Sequence, residues 1–482
     1  MTFRTINNDI HYICSERSNQ ATNLRRERRM NLTNKRRMEL IQSEDRTDNQ
    51  IPIETIRSIV NDVNQGNVNK LHELLQLING DEVVQKILFE SQVMKSIIQM
   101  IPQCYQNYEM MFDIISIFIN YSSDEKMYSI QLVHFGLFDY YSNLLQHPIE
   151  SIAIHSLWLL CNLCSDGNEI KKVIIEKGII DVLPLFFENH KNEQSKSYLI
   201  WFFSNLTKFE NKESCILSDN HFFLSLQFSL MCLDDQNKEI VLDALHTLQN
   251  ISLQDKYIEL LVQNNEVVNK LLNFMTHQTQ SLSIVTLKII SNITFLETER
   301  IFEISRFMIP KLIALTEHNN PLILKEVYMV LSNIIAMKQD DMLESILKTP
   351  LINTITNSIY RKLVEPKIIL EMGFCICNIC YVSKNKHLVF ILQNFPITLP
   401  SLFLLCEENL MDKRQLLFTL RVCKLMIKFC ADNGIEIQDV IEESGFSNTL
   451  DDIIYNMDDI KITNIANEIK QNYIKIDFDS WN

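Results

Sequence analysis

The feature that most constrains this chain is an asparagine that returns at nearly constant spacing inside apolar, helix-forming segments. The intervals between successive members are 42, 43, 45, 42, 41 and 45 residues. A polar position with this period indicates a solenoid of three-helix repeats, in which each unit buries its apolar face against its neighbours. We name these residues the ladder asparagines: Asn120, Asn162, Asn205, Asn250, Asn292, Asn333 and Asn378.

Breaks between the predicted helices recur with the same period. Sixteen or seventeen residues after most ladder asparagines, the apolar pattern is interrupted, usually by a glycine or a proline. The breaks are at Gly136, Gly178, Met308 with Pro310, Pro350, and Phe395 with Pro396. The pattern predicts a continuous all-α solenoid over residues 51–476, with about ten units and with end units that lack the asparagine and act as caps. Residues 477–482 form a short polar tail.

Composition excludes several other classes of protein. Only 8 of the 482 residues are glycine, which argues against a glycine-rich nucleotide-binding architecture. No apolar run is long enough to span a bilayer, and charged residues from Arg4 onward argue against a secretion signal. The 12 cysteines lie mostly inside apolar segments, so we expect reduced core thiols in a cytosolic or nuclear compartment. We therefore expect no membrane partner.

Charge is divided unevenly along the chain. Residues 1–50 contain 10 Lys and Arg against 7 Asp and Glu, a net charge of +3, whereas the whole chain carries −15. The remaining residues therefore carry −18. A basic head on an acidic body predicts basic partners for the body. It also argues against nucleic acid, because an acidic surface repels phosphates.

The basic head, residues 1–50, lacks sustained hydrophobic periodicity and is expected to be disordered when free. Within it, Leu24–Ile41 is a helix candidate with too few apolar positions for a core helix, so we expect it to fold only against a partner. The alternative is a solvated charge run. The basic residues of this segment are Arg25, Arg26, Arg28, Arg29, Lys35, Arg36 and Arg37.

The ladder asparagines carry the main functional hypothesis. A carboxamide can pair with both the N–H and the C=O of an extended peptide, so a row of them in a concave groove holds a main chain without reading its sequence. Trp158 and Trp201 precede Asn162 and Asn205 by one helical turn and are placed to flank the aliphatic stem of a lysine. Asp166 would select the charge of that lysine. The alternative is that the asparagines are structural and bond the backbone of neighbouring repeats.

Two segments resemble the WALGNIAGDG and WTLSNLCR repeats of the importin-α (karyopherin-α) family: WLLCNLCSDG and WFFSNLTK. The family's importin-β-binding segment is similar to LRRERRMNLTNKRRMEL, and its last repeat is similar to Ile441–Ile453. The resemblance spans nearly the whole chain. It implies a right-handed superhelical solenoid of armadillo repeats with a flexible basic N-terminal segment.

The function implied by this resemblance is that of a nuclear import adaptor, which shuttles between cytoplasm and nucleus. Its partners would be basic nuclear localisation signals, importin-β and an export receptor. The implied major peptide site contains Asn120, Trp158, Asn162, Asp166, Trp201, Asn205, Asp243 and Asn250. The implied minor site contains Glu326, Asn333, Glu371, Phe374 and Asn378. By the same resemblance, Lys35, Arg36 and Arg37 would compete with cargo in cis.

The chain also departs from the family's pattern. The family has tryptophan at the positions of Ser116, His246, Met329 and Phe374, so some lysine slots should be shallower and stacking at the minor site should be weaker. Lys288 matches a cation that is typical of the family, where it divides the groove into two electrostatic halves.

Other functions fit the sequence less well. An armadillo scaffold of the catenin type is the alternative, but such grooves are usually basic, whereas this body is acidic. No P-loop, dinucleotide fingerprint, nucleophile elbow or HExxH pattern occurs, so we expect neither an enzyme nor a cofactor. The pairs Cys161 with Cys164 and Cys377 with Cys380 have metal-like spacing, but they lie five repeats apart and are expected to be core thiols.

Overall fold

The computed structural model describes residues 52–78, 82–123, 125–209, 216–408 and 412–474. They belong to two compact units that divide between Gln254 and Asp255, and each unit is treated separately below. Every regular element in the described ranges is a helix.

In the N-terminal unit, the α-helices are α1 (Ile53–Asn64), α2 (Leu71–Leu77), α3 (Glu82–Ser91), α4 (Val93–Cys104), α5 (Tyr108–Tyr121), α6 (Lys126–His134), α7 (Tyr141–Leu145), α8 (Glu150–Cys164), α9 (Asn168–Glu176), α10 (Ile179–Asn189), α11 (Glu193–Leu206), α12 (Asp219–Cys232) and α13 (Lys238–Ile251). Two 3₁₀ helices lie at Val68–Lys70 and Leu137–Tyr140.

In the C-terminal unit, the α-helices are α14 (Asp255–Gln263), α15 (Asn265–Phe274), α16 (Gln280–Ile293), α17 (Glu299–Leu315), α18 (Pro321–Ala336), α19 (Asp340–Leu347), α20 (Leu351–Tyr360), α21 (Pro366–Val382), α22 (Asn385–Asn394), α23 (Thr398–Glu408), α24 (Lys413–Asp432), α25 (Gln438–Glu443), α26 (Phe446–Asn456) and α27 (Ile460–Tyr473).

One helix of each repeat forms a continuous stack, and we name these the ladder helices. In the N-terminal unit, each of α2, α5, α8, α11 and α13 packs on the next. In the C-terminal unit, α16, α18, α21, α24 and α27 pack in the same way. The repeat α9–α10–α11 has the expected three helices. The predicted all-α solenoid class of about ten repeats is confirmed by these stacks.

Most of the predicted breaks are confirmed. Gly136 and Gly178 adopt positive φ values of 88° and 63°, which a residue with a side chain rarely tolerates, and each immediately precedes a new helix. Pro350 precedes α20, and Phe395 with Pro396 separates α22 from α23.

The break predicted at Met308 with Pro310 is wrong, because α17 continues through Pro310 as a single helix. Proline removes one intrahelical hydrogen bond, which usually kinks or ends a helix. Here the flanking side chains Met308, Ile309 and Leu312 are all buried in the core. Burial on both sides of the proline offsets the lost bond, so the first two helices of this repeat merge.

A second row of asparagines connects the ladder helices at their N-termini. Asn237 caps α13 by accepting a hydrogen bond from the Glu239 amide, and its Nδ2 donates to Oε1 of Glu193, the first residue of α11, at 2.9 Å. Asn192 reaches Glu150 in the same way at 2.6 Å. Each cap therefore satisfies an orphan amide and also ties its helix to the preceding ladder helix.

The C-terminal unit repeats this arrangement. Asn320 caps α18 and donates to Oε1 of Gln280, the first residue of α16, at 2.7 Å. The row was not anticipated from the sequence, because an asparagine before a helix is a common capping residue and its bond to the preceding repeat is not encoded locally.

The four cysteines with metal-like spacing are fully buried, as expected of core thiols. The described residues contain no group of three metal-ligating side chains. Within the described ranges, no single helix combines the length and apolarity needed to cross a bilayer. The helices α22 and α23 pass that test only as a pair, and they are bent by 92° at the break between them.

Candidate functional site

The ladder asparagines of the N-terminal unit bond to the backbone of the preceding repeat. The side-chain amide of Asn250 donates to the carbonyl of Ser204 at 3.1 Å, and that of Asn205 donates to the carbonyl of Cys161 at 3.3 Å. In each case the acceptor is the residue directly before the previous ladder asparagine. The structural role that the sequence left as an alternative is therefore present.

The same bond recurs in the C-terminal unit. Asn333 donates to the carbonyl of Ser291 and Asn378 to the carbonyl of Ser332, both at 3.1 Å. Asn378 also donates to the hydroxyl of Ser332 at 2.8 Å. At the start of the N-terminal stack, Asn120 donates to the carbonyl of Ile78 at 3.4 Å. The bond thus recurs with the period of the repeat at Asn120, Asn205, Asn250, Asn333 and Asn378.

These bonds use the N–H donors of the carboxamide, and its oxygen is a separate acceptor. An asparagine side chain has two N–H donors and an oxygen with two lone pairs. Asn120, Asn250, Asn333 and Asn378 are all half-buried, so part of each side chain still faces outward. Asn162 is 1% exposed, and its Oδ1 is buried without a hydrogen-bond partner. A buried acceptor without a partner costs about 1–3 kcal/mol.

The two tryptophans that precede ladder asparagines by one helical turn both contact the ring of a tyrosine. The ring of Tyr198 stacks on Trp158 with centroids 5.9 Å apart and planes at 23°. The same ring is 6.5 Å from Trp201. Trp158 and Trp201 are 7% and 8% exposed. The sequence did not single out Tyr198, although its position three residues before Trp201 places it on the same helix face.

Tyr198 belongs to a row that lies seven residues, or two helical turns, before the ladder asparagines. Four of the seven positions in this row are acids. Its members are Asp113, His155, Tyr198, Asp243, Val285, Glu326 and Glu371. Asp243 and Glu326 are 5% and 8% exposed. Asp113 was missed in the sequence, although its place seven residues before Asn120 was a usable signal.

Asp113 sits in a partly buried position on α5. Its Oδ1 lies 3.4 Å from Nδ1 of His72 on α2. Burial raises the pKa of the Asp113 carboxyl above its usual value, and the nearby His72 opposes that shift only in part. The side chain of Asp113 is 15% exposed.

Asp166 accepts a hydrogen bond from the hydroxyl of Ser129 at 2.5 Å, so this acid is held against the preceding repeat. At the positions where the resembled family has tryptophan, Ser116 is buried, and His246 and Met329 are half-buried. Lys288 is also half-buried.

The aromatic ring of Phe374 stacks on Phe418 of the next ladder helix, with centroids 6.5 Å apart and planes at 24°. This pair is the counterpart, in the C-terminal unit, of the aromatic stacking between α8 and α11. The basic residues assigned to importin-β binding lie outside the described residues: Arg25, Arg26, Arg28, Arg29, Lys35, Arg36 and Arg37.

Comparison with known proteins yields structural similarity only. No family model matches the chain, and no curated protein matches it. A crystal structure of an engineered protein is similar with a TM-score of 0.69 at 14% identity, over 86% of this chain and 97% of that one. At this identity the likeness shows a shared fold and nothing about function.

Two shorter solved structures also match over 49% of this chain and 99% of their own, at 16% identity. One is a designed armadillo repeat protein, with a TM-score of 0.44. The other is described as computationally designed armadillo repeat proteins for modular peptide recognition, with a TM-score of 0.43.

Proposed function

We propose that this chain binds an extended, Lys- and Arg-rich peptide along its ladder helices, and that it acts as a nuclear import adaptor of the importin-α type. The observation that carries the proposal is the periodic row of half-buried carboxamides. The side-chain N–H groups of Asn250, Asn333 and Asn378 donate to the preceding repeat, and we assign the carboxamide oxygen of each to an N–H group of the peptide main chain.

The geometry of packed helices suits such a peptide. Adjacent helices lie about 8–10 Å apart, a distance that two to three extended residues span. The peptide main chain can therefore meet one carboxamide per repeat. Fixing each asparagine by its bond to the preceding repeat also lowers the entropy lost when a peptide binds.

Charge supports a basic ligand. Acids occupy the row seven residues before the ladder at Asp113, Asp243, Glu326 and Glu371. Residues 51–482 carry a net charge of −18, which attracts Lys- and Arg-rich segments and steers their encounter. The same charge disfavours nucleic acid. It also disfavours the acidic ligands of a catenin-like scaffold, which is the alternative function.

The import role adds partners that rest on the resemblance of residues 1–50. In this proposal, importin-β grips the basic head, the adaptor crosses into the nucleus, and an export receptor returns it to the cytoplasm. The head also competes with cargo for the ladder through Lys35, Arg36 and Arg37, because a short tether gives it a high effective concentration. The proposal includes no catalytic step.

Peptide binding is tested by titrating a fluorescent Lys-rich peptide into the full chain. We expect Asn250→Ala to weaken binding about tenfold, the value of roughly one hydrogen bond. The matched control is Asn237→Ala, because Asn237 joins the same two helices, α11 and α13, at their other end. Equal affinities of the two variants would remove the ladder from the site. Stronger binding of an acidic peptide would favour the scaffold alternative.

The import role has a separate test. Deleting residues 1–50 should abolish capture by importin-β and should tighten binding of the basic peptide several-fold. A control chain in which Lys35, Arg36 and Arg37 are alanine should still bind importin-β more strongly than the deletion does, but should lose the competition in cis. Unchanged capture by importin-β after the deletion would rule out the adaptor role.

A further inference from the structure

We propose that Tyr198 fills the space between Trp158 and Trp201, and that this chain therefore selects peptides with a small side chain at that point. We name this space the indole slot. The inference rests on the proposed peptide binding and adds its sequence preference. The distances that carry it are 5.9 Å from the Tyr198 ring centroid to that of Trp158 and 6.5 Å to that of Trp201.

A lysine stem needs two flat walls with an open gap between them. Stacked aromatic rings are already in contact at the separation seen between Tyr198 and Trp158. The phenol ring therefore takes the volume that a lysine stem would use. The slot assigned to lysine from the sequence is, in this proposal, closed by the protein's own side chain.

Tyr198 is held in this position from both ends. The residue is 7% exposed, and its hydroxyl accepts a hydrogen bond from Nε2 of Gln194, one turn earlier on α11, at 3.3 Å. Moving the ring out of the slot would forfeit the stacking, the apolar burial and this bond together. A peptide side chain is therefore not expected to displace it.

The positions of the acids next to the ladder also fit a slot that is closed to lysine. On α8 and α11, the row that carries acids on α5 and α13 has His155 and Tyr198 instead. The nearest acids of that row lie at Asp113 on α5 and Asp243 on α13. Close to the slot itself, Asp166 already accepts the Ser129 hydroxyl. Charge recognition is therefore displaced to the two outer helices.

The spacing of those helices defines the ligand. From α5 to α13 there are three steps along the stack, or about 24–30 Å at the usual separation of packed helices. An extended chain covers this length in roughly eight residues. The expected ligand is an extended peptide with two basic residues about eight positions apart and with Gly, Ala or Ser facing the slot.

The position of Tyr198 is tested without any peptide. The chain has 3 tryptophans, so Trp481→Phe leaves only Trp158 and Trp201 as fluorophores. In that background, Tyr198→Ala should raise the acrylamide quenching constant at least twofold, whereas Tyr198→Phe should leave it unchanged because the ring remains. Circular dichroism verifies that both variants fold. If Tyr198→Ala does not alter quenching, Tyr198 does not fill the slot.

The preference is tested with an alanine-rich peptide that carries two lysines eight residues apart. A third lysine is moved through the positions between them. Wild type should bind the peptide at least tenfold more weakly when this lysine faces the slot than when that position is alanine. Tyr198→Ala should abolish that difference. Tyr381→Ala, an aromatic truncation in the C-terminal unit, should retain it.

The outcomes separate this inference from the proposed function. If wild type binds both peptides equally well, the preference is wrong and peptide binding stands. If quenching rises in Tyr198→Ala but no basic peptide binds either protein, the proposed function is wrong and only the packing role of Tyr198 survives.

Discussion

Asn250 donates its side-chain amide to the carbonyl of Ser204, the residue directly before the previous ladder asparagine. At the other end of the same helix, Asn237 donates to Glu193. The pair α11 and α13 is therefore joined at both ends by asparagine amides, one half-buried against backbone and one at the surface. This double attachment fixes the register between repeats, which apolar packing alone specifies only loosely.

The first prediction separates the two attachments. Asn250→Ala should lower the free energy of unfolding by about 1–2 kcal/mol, because the Ser204 carbonyl loses a partner in a partly buried position. In Asn237→Ser, the serine keeps the helix cap but is too short to reach Glu193. This substitution should therefore lower the free energy of unfolding by only roughly 0.3 kcal/mol. Urea unfolding followed by circular dichroism measures both. Equal losses would mean that the two rows contribute alike.

The second prediction concerns Gly373 in the middle of α21. A Cβ at this position would clash with Nε2 of Gln415, and would also press on Leu405 at 3.2 Å. Gln415 is fully buried and donates to the carbonyl of Leu370 at 2.8 Å, so its side chain has no free space to move into. Gly373→Ala should therefore destabilise the chain by about 1–3 kcal/mol, from overpacking.

The sign of this effect is diagnostic, because glycine to alanine inside a helix is ordinarily stabilising by about 1 kcal/mol. Gln415→Ala removes the clashing Nε2 atom. In that background, Gly373→Ala should raise the free energy of unfolding instead of lowering it. Thermal unfolding of the four proteins of this cycle measures the coupling. A stabilising effect of Gly373→Ala in the wild-type background would contradict the close contact.

The third prediction distinguishes core thiols from metal ligands. Burial raises the pKa of Cys380 to about 12, and it raises that of Cys377 well above its usual value. Both thiols should resist a thiol reagent at pH 8 in the folded chain and react fully after unfolding, as mapped by mass spectrometry. A chelator should leave the melting temperature unchanged. Protection that disappears when the chelator is added would instead indicate a bound metal.

The sequence predicted the fold because its strongest signals are local. Glycine and proline at the breaks and one polar residue per repeat reveal the period without any knowledge of contacts. Pro310 was misread because the outcome there depends on burial of neighbouring side chains, which is a tertiary property.

The site was less predictable, because its geometry depends on contacts between repeats. In the sequence, Tyr198 is one more aromatic residue in an apolar helix, and only its stacking on Trp158 distinguishes it. The inter-repeat bonds of the ladder asparagines were foreseen as an alternative. Nothing in the sequence alone could decide between that role and peptide binding, because the carboxamide has enough donors and acceptors for both.

The last prediction concerns Asp113 and the cost of keeping an acid beside the ladder. Burial raises its pKa in the folded chain, so the folded state holds the proton more tightly than the unfolded state does. Its contribution to stability is complete below the unfolded pKa of about 3.9 and is lost as the pH rises through the folded pKa. At neutral pH the ionised carboxylate therefore destabilises the fold. Asp113→Asn should raise the urea midpoint at pH 7 and have little effect near pH 3.5.

Asp235 supplies the opposite control. Burial opposes its ionisation, but hydrogen bonds from Lys196 and from the backbone amides of Asn237 and Gln236 outweigh burial and lower its pKa. Its stabilisation is present above the unfolded pKa and is lost as the pH falls, so Asp235→Asn should lower the urea midpoint at pH 7 and converge with wild type in acid.

If Asp113→Asn both stabilises the chain and weakens binding of the two-lysine peptide, Asp113 is retained for recognition at the expense of stability. A stabilised variant with unchanged affinity would remove Asp113 from the site.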